Sequence, residues 1–131
     1  MTYLVDSDWV ADYLKGRQQA VQLLSSLFPD GIALSIITFA EVYEGIYYGS
    51  DPKRNEAIFG RFLQGVSVLG ISRPVARRFA MTRGALRKAG QLIPQPDLFI
   101  AATALHYELS LVTRNLSDFQ RIPGLRLYGV S

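Results

Sequence analysis

Four acidic residues of this chain occupy places where carboxylates could act together, although they are far apart in the sequence. They follow predicted strands or lie near the starts of predicted helices, and they are Asp6, Glu41, Asp97 and Asp118. Because ligands collect at the carboxyl ends of parallel strands, these side chains could share one pocket. Carboxylates brought together repel one another unless a proton or a cation neutralises them. Mg²⁺ or Mn²⁺ prefers such oxygen ligands, and the ion could activate water and stabilise charge on a phosphate.

Each of these acids also has a simpler explanation. Acidic side chains are favoured at helix N-termini, where they accept hydrogen bonds from free N–H groups and complement the helix dipole. The spacing from Thr38 to Glu41 matches a capping box, and Asp97 directly follows Pro96, as expected in a first helical turn. On spacing alone, the metal-site and the helix-capping interpretations both stay open.

The elements that would position these acids alternate between short apolar strands and helices. Strands are predicted at residues 3–5, 31–35, 66–69 and 109–113, with a candidate fifth at 126–128. Helices are predicted at about 9–28 (two helices separated by Gly16), 38–48, 53–64, 74–89 and 97–108, with a short turn from Leu116. This alternation predicts a parallel sheet covered by helices on both faces, in a single domain over residues 1–131.

The composition excludes several kinds of chemistry. The chain has 131 residues, no Cys and one His, which is His106. Without Cys there can be no disulfide, thiol nucleophile or cysteine metal site, and a lone His excludes a multi-histidine metal site. No apolar run approaches the roughly 18–20 residues that span a bilayer, and no basic segment precedes the first strand. We therefore expect a cytoplasmic protein with no membrane association.

The formal net charge of +3 hides an uneven distribution. Residues 1–50 carry six acids and two bases, whereas residues 51–90 carry nine bases and two acids. Six of these bases lie between positions 73 and 88, and at helical spacing one side of this segment carries Arg73, Arg77, Arg83, Arg87 and Lys88. Such a side is either an ordinary solvated helix face or a surface that contacts RNA phosphates.

Four short strings, taken in order, resemble the PIN-domain family. They are Tyr3-Leu-Val-Asp-Ser-Asp8, Ile37-Thr-Phe-Ala-Glu-Val-Tyr-Glu-Gly45, Asp97-Leu-Phe-Ile-Ala-Ala-Thr-Ala-Leu105 and Leu111-Val-Thr-Arg-Asn-Leu-Ser-Asp-Phe119. Together they are most similar to the toxin ribonucleases of type II toxin–antitoxin systems, the VapC type. The resemblance covers nearly the whole chain. It implies an α/β fold with a parallel sheet of about four to five strands flanked by helices, a PIN-like (Rossmann-like) three-layer sandwich.

The same resemblance implies a Mg²⁺- or Mn²⁺-dependent endoribonuclease that hydrolyses RNA phosphodiester bonds. The implied catalytic pocket consists of Asp6, Glu41, Asp97 and Asp118. Asp6 and Asp97 match the positions most consistently assigned to metal binding in the family. The implied partners are the RNA substrate, a cognate antitoxin protein that inserts a basic side chain into the pocket, and a second copy of the chain in a homodimer.

Two positions depart from a simple match to the family. The position of Asp118 varies across the family, so Asn115 could share its role. Asp8 stands where Asn is the commoner family choice, which adds a carboxylate that could bind metal or cap a helix. Ser7 and Thr113 are polar neighbours that could hold a water or orient an acid.

Two other functions stay open at this point. Asp6 and Asp8 after an apolar strand also open the haloacid-dehalogenase-like phosphatases, in which Asp6 would be a covalent nucleophile. That chemistry needs a lysine late in the fold, and the three lysines of the chain are not near a suitable later strand end. The other alternative is a non-catalytic basic module that binds nucleic acid and whose acids are only helix caps.

Overall fold

A four-stranded parallel sheet lies at the centre of the structure, a computed structural model that describes residues 1–130. The strands are β1 (Tyr3–Val5), β2 (Ile32–Ser35), β3 (Val66–Leu69) and β4 (Ser110–Val112). Their order in the sheet is β3-β2-β1-β4, with every pairing parallel. The last residues of the two strands β1 and β4, Val5 and Val112, are paired, so the chain segments that follow them leave the sheet side by side.

Seven α-helices surround the sheet in the part of the chain that the structure describes. They are α1 (Ser7–Leu14), α2 (Gln18–Leu27), α3 (Ile36–Tyr47), α4 (Pro52–Leu63), α5 (Arg73–Lys88), α6 (Gln95–Tyr107) and α7 (Leu116–Phe119). Gly16, with a φ of 71°, ends α1 in the left-handed conformation that glycine adopts without strain. None of these helices has the length and apolar character that crossing a membrane requires.

The sheet is covered on both faces, because successive strand residues point to opposite sides. On one side Leu4 and Leu111 pack in a core with side chains of α5, α6 and α7. On the other side Val5 and Val112 pack in a second core with side chains of α1, α2, α3 and α4. Strands β1 and β4 therefore bury apolar side chains on both faces, as expected for the centre of a parallel sheet covered on both sides. This arrangement confirms the predicted α/β three-layer sandwich.

The predicted capping box at the start of α3 is wrong. The helix begins two residues earlier than expected, and Ser35 is its N-cap, with its hydroxyl oxygen accepting a hydrogen bond from the Ile37 N–H at 3.1 Å. Thr38 is instead fully buried in the first turn of the helix. Glu41 thus lies in the second turn of α3 and is free of any capping role.

Two further expectations need adjustment. Residues 126–128 do not form a fifth strand, because only Leu127 forms a parallel bridge to Leu111. Helix α6 begins at Gln95, so Asp97 is its third residue and not its first. Asp97 still lies in the first helical turn, as the sequence predicted.

Candidate active site

Asp6 is held at the junction between β1 and α1. It caps α1, because its Oδ1 atom accepts a hydrogen bond from the Ser7 N–H at 2.8 Å. Its own backbone N–H donates to the carbonyl oxygen of Val112 at 2.9 Å, which continues the pairing of β1 with β4 by one residue. Only 8% of Asp6 is exposed. The sheet therefore fixes both the position and the burial of this carboxylate.

The second oxygen of Asp6 is fixed by Thr113, which directly follows β4. The Thr113 hydroxyl donates to Asp6 Oδ2 at 2.8 Å. The same hydroxyl oxygen accepts a hydrogen bond from the Asn115 N–H at 3.0 Å, so its own hydrogen is directed toward Asp6. Both carboxylate oxygens of Asp6 thus have a donor, and the side chain is held in one orientation.

Three of the predicted acids have pKa values above the usual range for their type. Burial raises the pKa of Asp6, against the effect of its hydrogen bonds. Burial also raises the pKa of Glu41, and the negative charges of Asp6 and Asp97 raise it further. The pKa of Asp97 is raised in the same way, first by burial and then by Asp6 and Asp118. Helices α3 and α6 therefore bring Glu41 and Asp97 into the electrostatic range of Asp6.

Asp118 lies at the same edge, in the short helix α7, and has two polar partners. Asn115 donates from Nδ2 to Asp118 Oδ2 at 3.1 Å. The Arg121 guanidinium lies 3.8 Å from Asp118 Oδ1 and also donates to the carbonyl oxygen of Leu92 at 3.2 Å. Asn115 thus links Thr113 to Asp118, because its backbone N–H donates to the Thr113 hydroxyl oxygen and its side-chain amide donates to the Asp118 carboxylate.

Asp8 contributes negative charge at the rim of this acidic site. It is exposed in the first turn of α1, and its charge is one of those that raise the pKa values of Asp6, Glu41 and Asp97. Asp8 and Glu41 also line a cleft of about 500 Å³ between α1 and α3, together with Lys15 and several apolar side chains. The acidic edge, by which we mean Asp6, Glu41, Asp97 and Asp118, therefore borders this cleft through Glu41.

The donors at this edge suit a hard cation better than any other cofactor. They are carboxylate oxygens, and among residues 1–130 none of Asp6, Glu41 and Asp97 forms an ion pair with Lys or Arg. Within the same residues, no three acidic or His side chains are yet close enough to hold one metal ion together. A cation at this edge would neutralise repulsion that the chain itself leaves uncompensated.

The basic segment forms helix α5, which packs on α6 through the stacked rings of Phe79 and Phe99, whose centroids are 3.9 Å apart. Five of its six basic side chains are exposed, namely Arg73, Arg77, Arg78, Arg87 and Lys88. Arg83 is half-buried, and its Nε atom is enclosed without a hydrogen-bond partner. None of the six forms an ion pair within the described part of the chain. Helix α5 thus carries a surface of positive charge that has no ion-pair partner among the described residues.

One cluster at the site was missed by the sequence analysis. Arg114 lies over the Trp9 ring, with its guanidinium carbon 4.0 Å from the ring centroid, and forms an ion pair with Asp12 at 2.8 Å. The available signal was the position of these residues, since Trp9 is three residues after Asp6 and Arg114 directly follows Thr113. The contact itself depends on the pairing of β1 with β4, which the spacing did not reveal.

The fold and the site define an α/β protein with a cluster of carboxylates at the carboxyl edge of a parallel sheet. The family model of the PIN domain matches residues 3–125. Ribonuclease VapC2 of Haemophilus influenzae is 32% identical over 126 residues, which cover 96% of each chain. The chain therefore belongs to the PIN-domain family, among the VapC ribonucleases, which confirms the resemblance found in the four strings.

Two other relatives add detail. The tRNA(fMet)-specific endonuclease VapC of Salmonella typhimurium is 27% identical over 127 residues, covering 97% of this chain and 96% of the relative. A crystal structure of VapBC2 from Rickettsia felis, bound to a DNA fragment from its promoter, aligns with a TM-score of 0.87 at 27% identity and covers 97% of each chain. The alignment confirms the predicted PIN-like fold over nearly the full length.

Proposed function

We propose that this chain is a metal-dependent endoribonuclease and the toxin of a type II toxin–antitoxin pair, acting in the cytoplasm as one nuclease domain over residues 1–131. The observation that carries the proposal is the acidic edge, where Asp6, Glu41 and Asp97 have raised pKa values and no cationic partner among the described residues. A cluster that served only as helix caps would not need to bring these carboxylates into mutual repulsion. The VapC relatives named as ribonucleases support the same activity.

In this proposal Asp6 and Asp97 hold Mg²⁺ or Mn²⁺. The ion would lower the pKa of a bound water and stabilise negative charge on the phosphate. Thr113 keeps Asp6 oriented through its 2.8 Å hydrogen bond, so the Asp6 carboxylate is already ordered before an ion would bind to it. Glu41 and Asp118 complete the pocket, where Glu41, with its raised pKa, can accept a proton from the attacking water.

Two features of the chain argue against the two alternative functions. A phosphatase of the haloacid-dehalogenase type would need a lysine late in the fold, and the last lysine of the chain, Lys88, lies at the end of α5, before β4. A binding module with acids that act only as caps would need Glu41 at a helix start, whereas it lies in the second turn of α3. The PIN-domain match, over residues 3–125, includes all four acids of the pocket.

The proposed partners are an antitoxin protein and a second copy of this chain. The structural neighbour from Rickettsia felis is a VapBC complex, and the acidic edge of this chain, where Asp6, Glu41 and Asp97 have no ion pair among the described residues, suits a basic side chain from such a partner. A homodimer is supported by Tyr47 and Tyr48 at the end of α3, which are 60% and 89% exposed. Light scattering of the purified chain, alone and with its antitoxin, would test both assemblies.

RNA cleavage tests the proposed activity directly. We expect the purified chain to cleave RNA with added Mg²⁺ or Mn²⁺ and not with EDTA, and Asp97→Asn to reduce the rate by about a hundredfold or more, since metal-bound charge stabilisation is worth several kcal/mol. Glu44→Gln is the matched control, because Glu44 is an exposed acid in the turn after Glu41. Wild-type cleavage by Asp97→Asn would disprove the assignment of this pocket.

Metal binding can be followed without activity. Saturating Mn²⁺ at about a hundred times its dissociation constant should raise the unfolding free energy by about 2.7 kcal/mol, because only the folded chain assembles the site. The corresponding shift in melting temperature should be lost in Asp97→Asn and kept in Glu44→Gln. An equal shift in all three proteins would mean that the ion binds elsewhere.

A further inference from the structure

Arg114 is held beside the acidic edge by two contacts that use different parts of its guanidinium group. The central carbon of the group, Cζ, lies over the ring of Trp9, 4.0 Å from the ring centroid. One edge faces Asp12, with Nη1 at 2.8 Å from Oδ2. Asp12 is in turn held by Arg17, whose Nε lies 3.3 Å from Oδ1. The guanidinium plane of Arg114 is thus fixed in orientation while 40% of its side chain stays exposed.

The backbone places this pair next to the carboxylate that the proposed reaction uses. Trp9 is in the first turn of α1, the helix that Asp6 caps. Arg114 directly follows Thr113, whose hydroxyl donates to Asp6. Because consecutive Cα atoms are 3.8 Å apart, the Cα atom of Arg114 lies only that far from the Cα atom of Thr113 at the acidic edge. A nucleotide attached to a phosphate at that edge would come within reach of the Arg114 side chain.

We propose that Trp9 and Arg114, which we call the Arg114 platform, bind the base of the RNA nucleotide next to the cleaved phosphate. This inference rests on the proposed ribonuclease function. The guanidinium is planar, is held by two contacts and belongs to a side chain that is 40% exposed, and RNA bases stack well on guanidinium planes. Fixing the plane in advance reduces the entropy that is lost when a base is bound.

The pairing with Asp12 favours a base over a phosphate as the ligand. Asp12 neutralises part of the charge that Arg114 and Arg17 carry, so Arg114 attracts a further anion less strongly than an unpaired arginine would. The basic side chains of α5, in contrast, have no acidic partner among the described residues and suit phosphates. The platform would therefore contribute to which nucleotide is chosen, and α5 to how strongly any RNA is attracted.

Two substitutions separate a stacking role from a role of charge. Arg114→Lys keeps the positive charge and the pairing with Asp12 but removes the flat group. Arg114→Ala removes both. Arg17→Ala is the matched control, because Arg17 pairs with the same Asp12 but does not lie over Trp9. We expect both Arg114 variants to lose the interaction and Arg17→Ala to keep it.

The experiment measures binding of short single-stranded RNA in the Asp97→Asn background, in which cleavage is expected to be too slow to interfere. One base at a time is removed from the oligonucleotide as an abasic site. At one position the abasic site should weaken binding to the parent about tenfold, as expected for the loss of one stacked base. In Arg114→Lys and Arg114→Ala, the same abasic site should weaken RNA binding less than twofold, because the guanidinium on which the base would stack has already been removed.

The outcomes are distinguishable. If the abasic site that most weakens RNA binding to the parent weakens binding to the Arg114 variants equally, the platform does not bind a base and the inference is wrong. If the wild-type chain neither binds nor cleaves RNA, the proposed function itself fails, and the inference fails with it. A second signal is available because Trp9 is the single tryptophan of the chain. Its emission should change on RNA binding in the parent and in Arg17→Ala, and an unchanged emission in the parent would contradict the proposal.

Discussion

The acidic edge and helix α5 use charge in opposite ways. The acids come from four distant parts of the sequence, and Asp6 is 8% exposed and held by two hydrogen bonds. The bases of α5 lie within 16 consecutive residues, and five of the six are exposed. The acidic edge concentrates charge at a cost in repulsion, whereas α5 spreads charge over a solvated surface where repulsion is screened.

We expect the acidic edge to position the groups that react, and α5 to attract the RNA. At the acidic edge, hydrogen bonds set the orientation of the Asp6 carboxylate, so the removal of one of these contacts should change the chemistry. On α5 the charges act at longer range, so the removal of one or two should change RNA affinity by a modest factor and leave the chemistry intact.

The strongest test is the hydrogen bond between Thr113 and Asp6. Thr113→Val should lower the rate of RNA cleavage by about 10- to 100-fold, the usual cost of losing a group that orients a metal ligand. Thr113→Ser keeps the hydroxyl and should retain most of the rate, which separates the hydrogen bond from simple packing. Initial rates at saturating Mg²⁺ provide the measurement. Equal rates for the Val and Ser variants would show that the orientation of Asp6 does not matter.

Removing charge from α5 should affect binding and not chemistry. The double substitution Arg77→Ala with Arg87→Ala should weaken RNA binding by about tenfold and reduce the salt dependence of log K by about 1.4, if each side chain contacts one phosphate of a single strand. The cleavage rate at saturating RNA should stay within about twofold of the wild type.

The control for this prediction is Lys53→Ala with Arg54→Ala on α4, which removes the same charge from another exposed helix. If both double variants change the salt dependence equally, α5 has no special role and only net charge matters. An unchanged salt dependence in the α5 variant would mean that its face is merely solvated.

The smallest effect concerns repulsion within the acidic edge. The pKa values of Asp6, Glu41 and Asp97 are raised in the folded chain, so the folded state binds protons more tightly than the unfolded state. This contribution to stability is present below about pH 4 and is lost as pH rises through the raised pKa values. Without metal, Asp97→Asn should therefore raise the unfolding free energy at pH 7 by about 0.5 kcal/mol, since one charge leaves the cluster.

Urea unfolding of the wild type and Asp97→Asn at pH 4 and pH 7, in EDTA, measures this effect. The difference between the two proteins should be larger at pH 7, because Asp97 is ionised there. Asp6→Asn should bring no such gain, because its amide nitrogen would face a donor, either the Ser7 N–H or the Thr113 hydroxyl. A wild type that is more stable than Asp97→Asn at pH 7 would contradict the account of repulsion.

Most of the fold could be predicted from the sequence, because short apolar runs and amphipathic segments specify strands and helices locally. The predicted bounds of β1 and β3 agree with the structure, and those of α4 and α5 differ by one residue. The start of α3 was mispredicted because Thr38 and Glu41 have the right spacing for a capping box. In the structure the helix begins directly after β2, so Ser35 is the cap and Thr38 lies inside the first turn, a choice that the spacing of Thr38 and Glu41 alone does not reveal.

The sequence by itself determined the residue types at the acidic edge, the all-oxygen character of the candidate metal site and the concentration of basic residues on α5. Only the tertiary structure decided which groups meet. Pairing of β1 with β4 brings Thr113 to Asp6 across 107 residues of sequence and sets Arg114 on Trp9. The physical reason is that residue type and local spacing specify helices, strands and charge, whereas contacts across the sheet depend on strand order and on the packing of helices from both faces.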